Sequence, residues 1–189
     1  MYILRQPKII LLVGMMGAGK TSLGRLLSRQ LKMPFVDSDK EIEKITGFTI
    51  SDLFARYGEQ EFRKGEERIM ERLLNGRPCV LSSGGGAFLS AHTRAVAKEH
   101  SVSVWLKAET KVLSRRTQGR KHRPLIPAAD NQKVIDRLIQ ECYPIYEEAD
   151  IMVQSLQESP FQTVRRLLSA LENKKIVEYV EKENKKDKK

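Results

Sequence analysis

Short apolar runs alternate along this chain with longer stretches in which apolar residues recur at helical spacing. Ile9-Ile10-Leu11-Leu12-Val13 is rich in β-branched residues and continuous, the pattern of a strand buried on both faces. Met33 to Asp37, with Pro34 at its start, Cys79 to Ser82, Ser101 to Leu106 and Ile151 to Val153 give four more strands. Between the first two, Leu23, Leu26, Leu27 and Leu31 mark one face of a helix, with Arg25 and Arg29 opposite. Lys40 to Ile45 forms a second helix, stopped by Gly47. Thr49-x-x-Asp52 opens a third, carrying Ile50, Leu53 and Phe54 and ended by Gly58. A longer one, Glu59 to Leu74, buries Phe62, Ile69, Leu73 and Leu74. Helices also fit Phe88 to Glu99 with Ser90 as a cap, Glu109 to Thr117, Asp130 to about Cys142, and a segment that Ser159-Pro160 opens and Leu171 ends. Strands alternating with helices predict an α/β fold, a parallel sheet covered on both faces.

Where the first strand ends, the chain reads Gly14-Met15-Met16-Gly17-Ala18-Gly19-Lys20-Thr21, which matches G-x-x-x-x-G-K-[ST], the phosphate-binding loop of P-loop NTPases. A chance match somewhere in a chain this long has odds on the order of one in a hundred, and the flanking strand and helix lower them. The glycines let backbone N–H groups close around an anion, and the helix beginning near Lys20 adds the positive end of its dipole. Gly17, Ala18, Gly19, Lys20, Thr21 and Ser22 are therefore candidate ATP-binding residues, with Lys20 bridging the β- and γ-phosphates and Thr21 ligating Mg²⁺.

Other residues carry chemistry with less specificity. Asp37-Ser38-Asp39 stands at a strand's C-terminal end, where ligands bind in open α/β sheets. One carboxylate suits Mg²⁺ through water and the other a substrate hydroxyl, although Ser38-x-x-Glu41 also reads as a capping box. Arg63 and Glu66 are an i, i+3 pair, either a surface ion pair or a braced guanidinium ready for a substrate carboxylate. Gly84-Gly85-Gly86 offers backbone for close approach or a flexible turn, and Ser82 is either a satisfied buried hydroxyl or a partner for metal-bound water. The basic, turn-rich segment Gln118 to Pro124 fits a mobile lid delivering an arginine, or a solvated loop.

Composition narrows the class without changing it. A length of 189 residues fits one domain, and 40% hydrophobic with 31% charged residues is ordinary for a globular chain. No apolar run approaches membrane-spanning length, and the start of the chain lacks a secretory signal. Two cysteines, Cys79 and Cys142, give neither a disulfide framework nor metal spacing, so a reducing cytoplasm is expected. The net charge of +10 suits anionic substrates such as ATP and carboxylates, and no nucleic-acid recognition motif accompanies it. From Lys174 to Lys189 seven lysines meet four acids, so a charged, disordered tail is expected over about 173–189.

Taken together these residues resemble the shikimate kinase family from about Lys8 to Leu171. The likeness rests on Gly14 to Thr21, Asp37-Ser38-Asp39 followed by Ile42-Glu43, Gly58-Glu59-x-x-Phe62-Arg63-x-x-Glu66, Gly84-Gly85-Gly86, Arg123-Pro124-Leu125 and Pro144-Ile145-Tyr146-Glu147-Glu148. The resemblance implies the three-layer P-loop NTPase fold of nucleoside monophosphate kinases, a five-stranded parallel sheet flanked by helices. It also implies a substrate-binding region at about 37–66 and a mobile lid at about 117–129. It implies Mg²⁺-dependent transfer of the ATP γ-phosphate to the 3-hydroxyl of shikimate by a cytoplasmic monomer. By position, Lys20, Asp39 and Arg123 would be catalytic, Thr21 and, through water, Asp37 would hold Mg²⁺, and Arg116, Arg123 and Pro160 would join the loop in binding ATP. Asp39, Arg63, Gly84, Gly85 and Gly86 would bind shikimate. Cys142 stands where the family usually has a second arginine for the shikimate carboxylate, and a thiol cannot replace a bidentate guanidinium. Two other functions share the P-loop: a kinase of another polyol acid or nucleotide, and a nucleotide-binding module without catalysis.

Overall fold

The computed structural model describes residues 2–117 and 131–180 of the 189. In chain order the elements are β1 (Tyr2–Leu4), β2 (Ile9–Val13), α1 (Lys20–Leu31), β3 (Phe35–Asp37), α2 (Ser38–Thr46), α3 (Ile50–Leu74), β4 (Val80–Ser82), a single 3₁₀ turn (Ala87–Leu89), α4 (Ala91–His100), β5 (Ser101–Lys107), α5 (Thr110–Thr117), α6 (Asn131–Tyr146), β6 (Ile151–Gln154), α7 (Pro160–Asn173) and β7 (Val177–Tyr179).

Five strands form one parallel sheet in the order β3-β4-β2-β5-β6. β2 lies at its centre and all five of its residues are buried, which is why its sequence shows no polar alternation. Right-handed crossovers that move toward β3 and toward β6 place their helices on opposite faces of the sheet. α1 and α7 pack together on one side, and α3 and α4 on the other. Leu23, Leu27 and Leu31 are the buried side of α1, as their spacing predicts.

The register sets the level of every loop at the sheet's carboxyl edge. Asp37 pairs with Ser82, and Ser82 with Leu12. The loop after β2, the acid ending β3 and the serines ending β4 therefore emerge side by side, where ligands bind in this class of sheet.

Three elements differ from the sequence expectation. The expected disordered tail is wrong for its first part: α7 continues to Asn173, and Val177–Tyr179 pairs antiparallel with Tyr2–Leu4. That pairing spans the whole chain, so no local window reveals it. Val177 is buried, and the rings of Tyr2 and Tyr179 meet edge to face at 5.3 Å. α6 runs past Cys142 through Pro144 to Tyr146. Proline this near a helix end forfeits one backbone bond, and packing of the fully buried Tyr146 against Phe88 and Trp105 holds the last turn. The helix expected over Phe88 to Glu99 is a 3₁₀ turn followed by α4, whose N-cap is Ser90, accepting from Thr93 N at 3.1 Å. As expected, Gly58 separates two helices, here numbered together as α3: it is non-helical at φ 75° and ψ 170° and kinks the chain between them.

Candidate active site

One cavity of about 840 Å³ opens along the carboxyl edge of the sheet. Gly17, Gly19, Lys20, Thr21 and Ser22 line it from the P-loop side, Asp37 and Asp39 from the β3–α2 junction, and Arg63 and Glu66 from α3. Gly85 and Gly86 line it from the loop after β4, and Arg116 and Pro160 from the far end. Residues scattered over more than a hundred positions of sequence thus face one space. Ala18 and Gly84 stand behind the wall and Cys142 is not part of it. Arg123 and the expected lid, apart from Thr117, lie outside the described residues.

Lys20, at the N-terminus of α1, donates through Nζ to the carbonyl of Gly14 at 2.6 Å and of Met15 at 3.1 Å. Its charge is therefore held inside the loop. Thr21 Oγ1 donates to Asp37 Oδ2 at 2.8 Å. Two hard oxygen donors in contact beside a phosphate loop fit Mg²⁺, which takes few protein ligands and fills its shell with phosphate and water. Among the described residues no group of three or more His, Cys, Asp or Glu could hold a metal by itself.

The capping-box reading of Ser38 and Glu41 does not hold. Asp37 is the N-cap of α2, accepting from Lys40 N at 3.4 Å. That frees Ser38, fully buried, to accept from Gly84 N at 2.8 Å, which ties the acid-bearing junction to the glycine loop. Asp39, in the first turn of α2, has its pKa raised, chiefly by burial and next by the charge of Asp37, while Lys20 pulls it down.

Arg63 is braced rather than free on a surface. Its Nη1 donates to Glu66 Oε2 at 2.6 Å, and Glu66 is buried. Burial, the larger influence, raises the pKa of the Glu66 carboxyl, while the charge and hydrogen bond of Arg63 oppose it. The guanidinium lies over the rings of Phe54 and Phe62 at 5.6 and 5.4 Å and against Gly86. A Cβ at Gly86 would overlap the guanidinium, and one at Gly84 would come within 2.7 Å of Asp39 Oδ1. The close approach of backbone to these charges is what requires glycine there.

Arg116 reaches across from α5 and donates to Gly17 O at 3.3 Å, Ser155 Oγ at 2.9 Å and the carbonyl of Leu156. Ser155 in turn donates to Ala18 O at 2.8 Å, linking the P-loop to the end of β6. Sequence reasoning passed over Ser155, since a lone serine after a strand carries no signal. It also passed over the Tyr146 hydroxyl, which donates to the Gly85 carbonyl and steadies the glycine loop from α6. Arg137, the base nearest in sequence to Cys142, is exposed and paired with Glu141 at 2.8 Å, so it does not stand in for the missing arginine. Cys142 is buried and its thiol pKa is raised, first by burial and then by Glu141, with Arg63 opposing.

Comparison with known proteins adds to this geometry. A family model described as Shikimate kinase matches residues 16–172. Shikimate kinase of Paramagnetospirillum magneticum is 49% identical over 167 residues, 88% of this chain and 86% of that protein. Shikimate kinase of Mesorhizobium japonicum is 46% identical over 162 residues, 86% of this chain and 80% of that protein. The structure of shikimate kinase from Acinetobacter baumannii in complex with shikimate superposes with a TM-score of 0.87 at 33% identity, covering 90% of this chain and 96% of that one.

Proposed function

The chain belongs to the shikimate kinase family, and on that premise we propose that it transfers the γ-phosphoryl group of Mg-ATP to the 3-hydroxyl of shikimate through the cavity above the P-loop. The observation that carries the site assignment is that phosphate loop, acidic pair and braced arginine face one another across a single space.

The P-loop N–H groups and Lys20 hold the β- and γ-phosphates in place. Thr21 and, through water, Asp37 would hold Mg²⁺, which would supply positive charge to offset that on the phosphate oxygens. Arg63, kept in orientation by Glu66, pairs with the shikimate carboxylate, while backbone at Gly85 and Gly86 borders the ring. Asp39 receives the 3-hydroxyl and takes its proton as that oxygen bonds to the γ-phosphorus and the bond to the ADP oxygen breaks. Its raised pKa favours that proton transfer. Arg116 and Pro160 flank the adenine, and Arg123 is assigned to the phosphates. The protein acts as a cytoplasmic monomer without nucleic-acid or membrane partners. No helix among the described residues is long and apolar enough to cross a membrane.

The test is steady-state ADP release from Mg-ATP with shikimate titrated into the high millimolar range. Saturable stimulation, lost in Lys20→Ala with its fold retained, is the expected result. Protein that binds ATP yet shows no stimulation would overturn the choice of acceptor.

A further inference from the structure

Arg63 presents two edges to its surroundings, and the chain's own carboxylates occupy both. Glu66 takes Nη1 at 2.6 Å and is only 3% exposed, so it is a fixed brace. Glu59 takes the other edge differently. Its single oxygen Oε1 accepts from Nη2 at 3.1 Å and from Nε at 3.4 Å. Those distances are longer than the ~2.7–2.9 Å of a firm charge-assisted bond. The Nε–Nη2 edge carries two parallel N–H groups, the geometry that receives a carboxylate bidentately.

Glu59 is also built to leave. Its side chain is 56% exposed. It is the first residue after Gly58, the one non-helical point in α3, whose φ of 75° breaks the helix at that position. Around Arg63 stand Asp39, Glu59 and Glu66, three acids facing one guanidinium. Cys142 brings no second positive charge to relieve them. An incoming carboxylate therefore adds a fourth acid to a group whose cations are Arg63 and, beside Asp39, Lys20, unless one of these acids moves away. Asp39 and Glu66 are held by burial, which leaves Glu59.

We infer that Glu59 is an internal competitor for the acceptor's carboxylate: it holds the bidentate edge of Arg63 and must swing into solvent before a carboxylate-bearing acceptor binds. Glu59 acts through Arg63 and is a positioning residue. It keeps the guanidinium aligned between turnovers and sets a threshold that weakly held anions do not pass. This rests on the acceptor assignment proposed above.

The experiment is steady-state kinetics of the full-length protein and its Glu59→Gln variant, with shikimate and with its uncharged methyl ester as acceptors. Glu59→Ala serves as a second variant, and melting temperatures confirm that all are folded. The expected result is a KM for shikimate lowered about three- to fivefold, the scale of one exposed ion pair. The KM for ATP and that for the ester should stay within about twofold by the same reasoning. An unchanged or raised KM for shikimate in both variants overturns the inference, as does an equal fall for the ester, because only the acid competes for Arg63. Wild-type protein without turnover of shikimate overturns the acceptor assignment itself, and with it this inference. An active wild type with indifferent variants overturns the inference alone.

Discussion

Asp39 illustrates how a single position can serve chemistry against stability. Burial and the charge of Asp37 raise its pKa, so the ionised form is less favourable in the folded chain than in the unfolded one. The folded state then binds a proton more tightly, and ionising Asp39 costs stability as pH rises from the ordinary value of 3.8 through the raised one. Asp39→Asn should therefore lower kcat by about 100-fold or more while raising Tm at neutral pH. A relief of about 1 kcal/mol would appear as a rise of about 2–4 °C. The gain should disappear well below pH 3.8, where wild-type Asp39 is itself protonated. Calorimetry at two pH values checks the sign, and equal melting at neutral pH would contradict it. Cys142→Arg is the complementary case. Restoring a guanidinium near Arg63 should lower the KM for shikimate about tenfold or more, with less effect on that for ATP. Unchanged or lost activity would show a pocket rebuilt around the thiol.

At the scale of elements, α3 and the glycine loop work as facing halves. Gly86 has φ −99° and ψ −11°, a backbone that alanine adopts freely, so any effect of Gly86→Ala comes from overlap with the Arg63 guanidinium. The variant should raise the KM for shikimate about tenfold, with little change in that for ATP, and a titration of each substrate separates the two. Sequence conveyed much of this scale. The P-loop, the strand ends and the pair Arg63–Glu66 were legible because each depends on near neighbours or a fixed motif. Less visible was whatever depends on distant partners. Ser38 reads as a cap until Gly84, forty-six positions on, is found donating to it. Tyr146 stands in the Pro144 to Glu148 motif without a role of its own until its hydroxyl meets the Gly85 carbonyl. The last turn of α6 was missed because Pro144 is a local stop signal that tertiary packing overrides.

For the whole molecule the instructive case is the end of the chain. Its lysines suggest a solvated tail, yet Ile176 and Val177 pack against the core and β7 joins β1. Composition averages over a window and hides two apolar residues among charges, and a partner at the far end of the chain has no local trace. Truncation after Asn173 removes a buried valine, worth about 1.5–3 kcal/mol. It should lower Tm by roughly 3–12 °C while leaving the KM values near wild type, since the site is built at the other edge of the sheet. A thermal melt beside an ADP-release assay decides between this and a tail with no structural part.

The same ribbon determines how the molecule would respond to mechanical load. Tyr2 stands opposite Tyr179 and Leu4 opposite Val177, so both ends of the described chain leave from the same end of an antiparallel pair. Tension applied through those ends peels the pair bond by bond, like a zipper, instead of shearing all its hydrogen bonds at once. The ribbon would thus yield as a fuse at low force, before tension reaches the strands that carry the P-loop. In a single-molecule pulling trace this means a small early extension followed by a distinct, stronger rupture. A chain anchored by both ends would give up its ribbon first, with the catalytic cavity still assembled behind it.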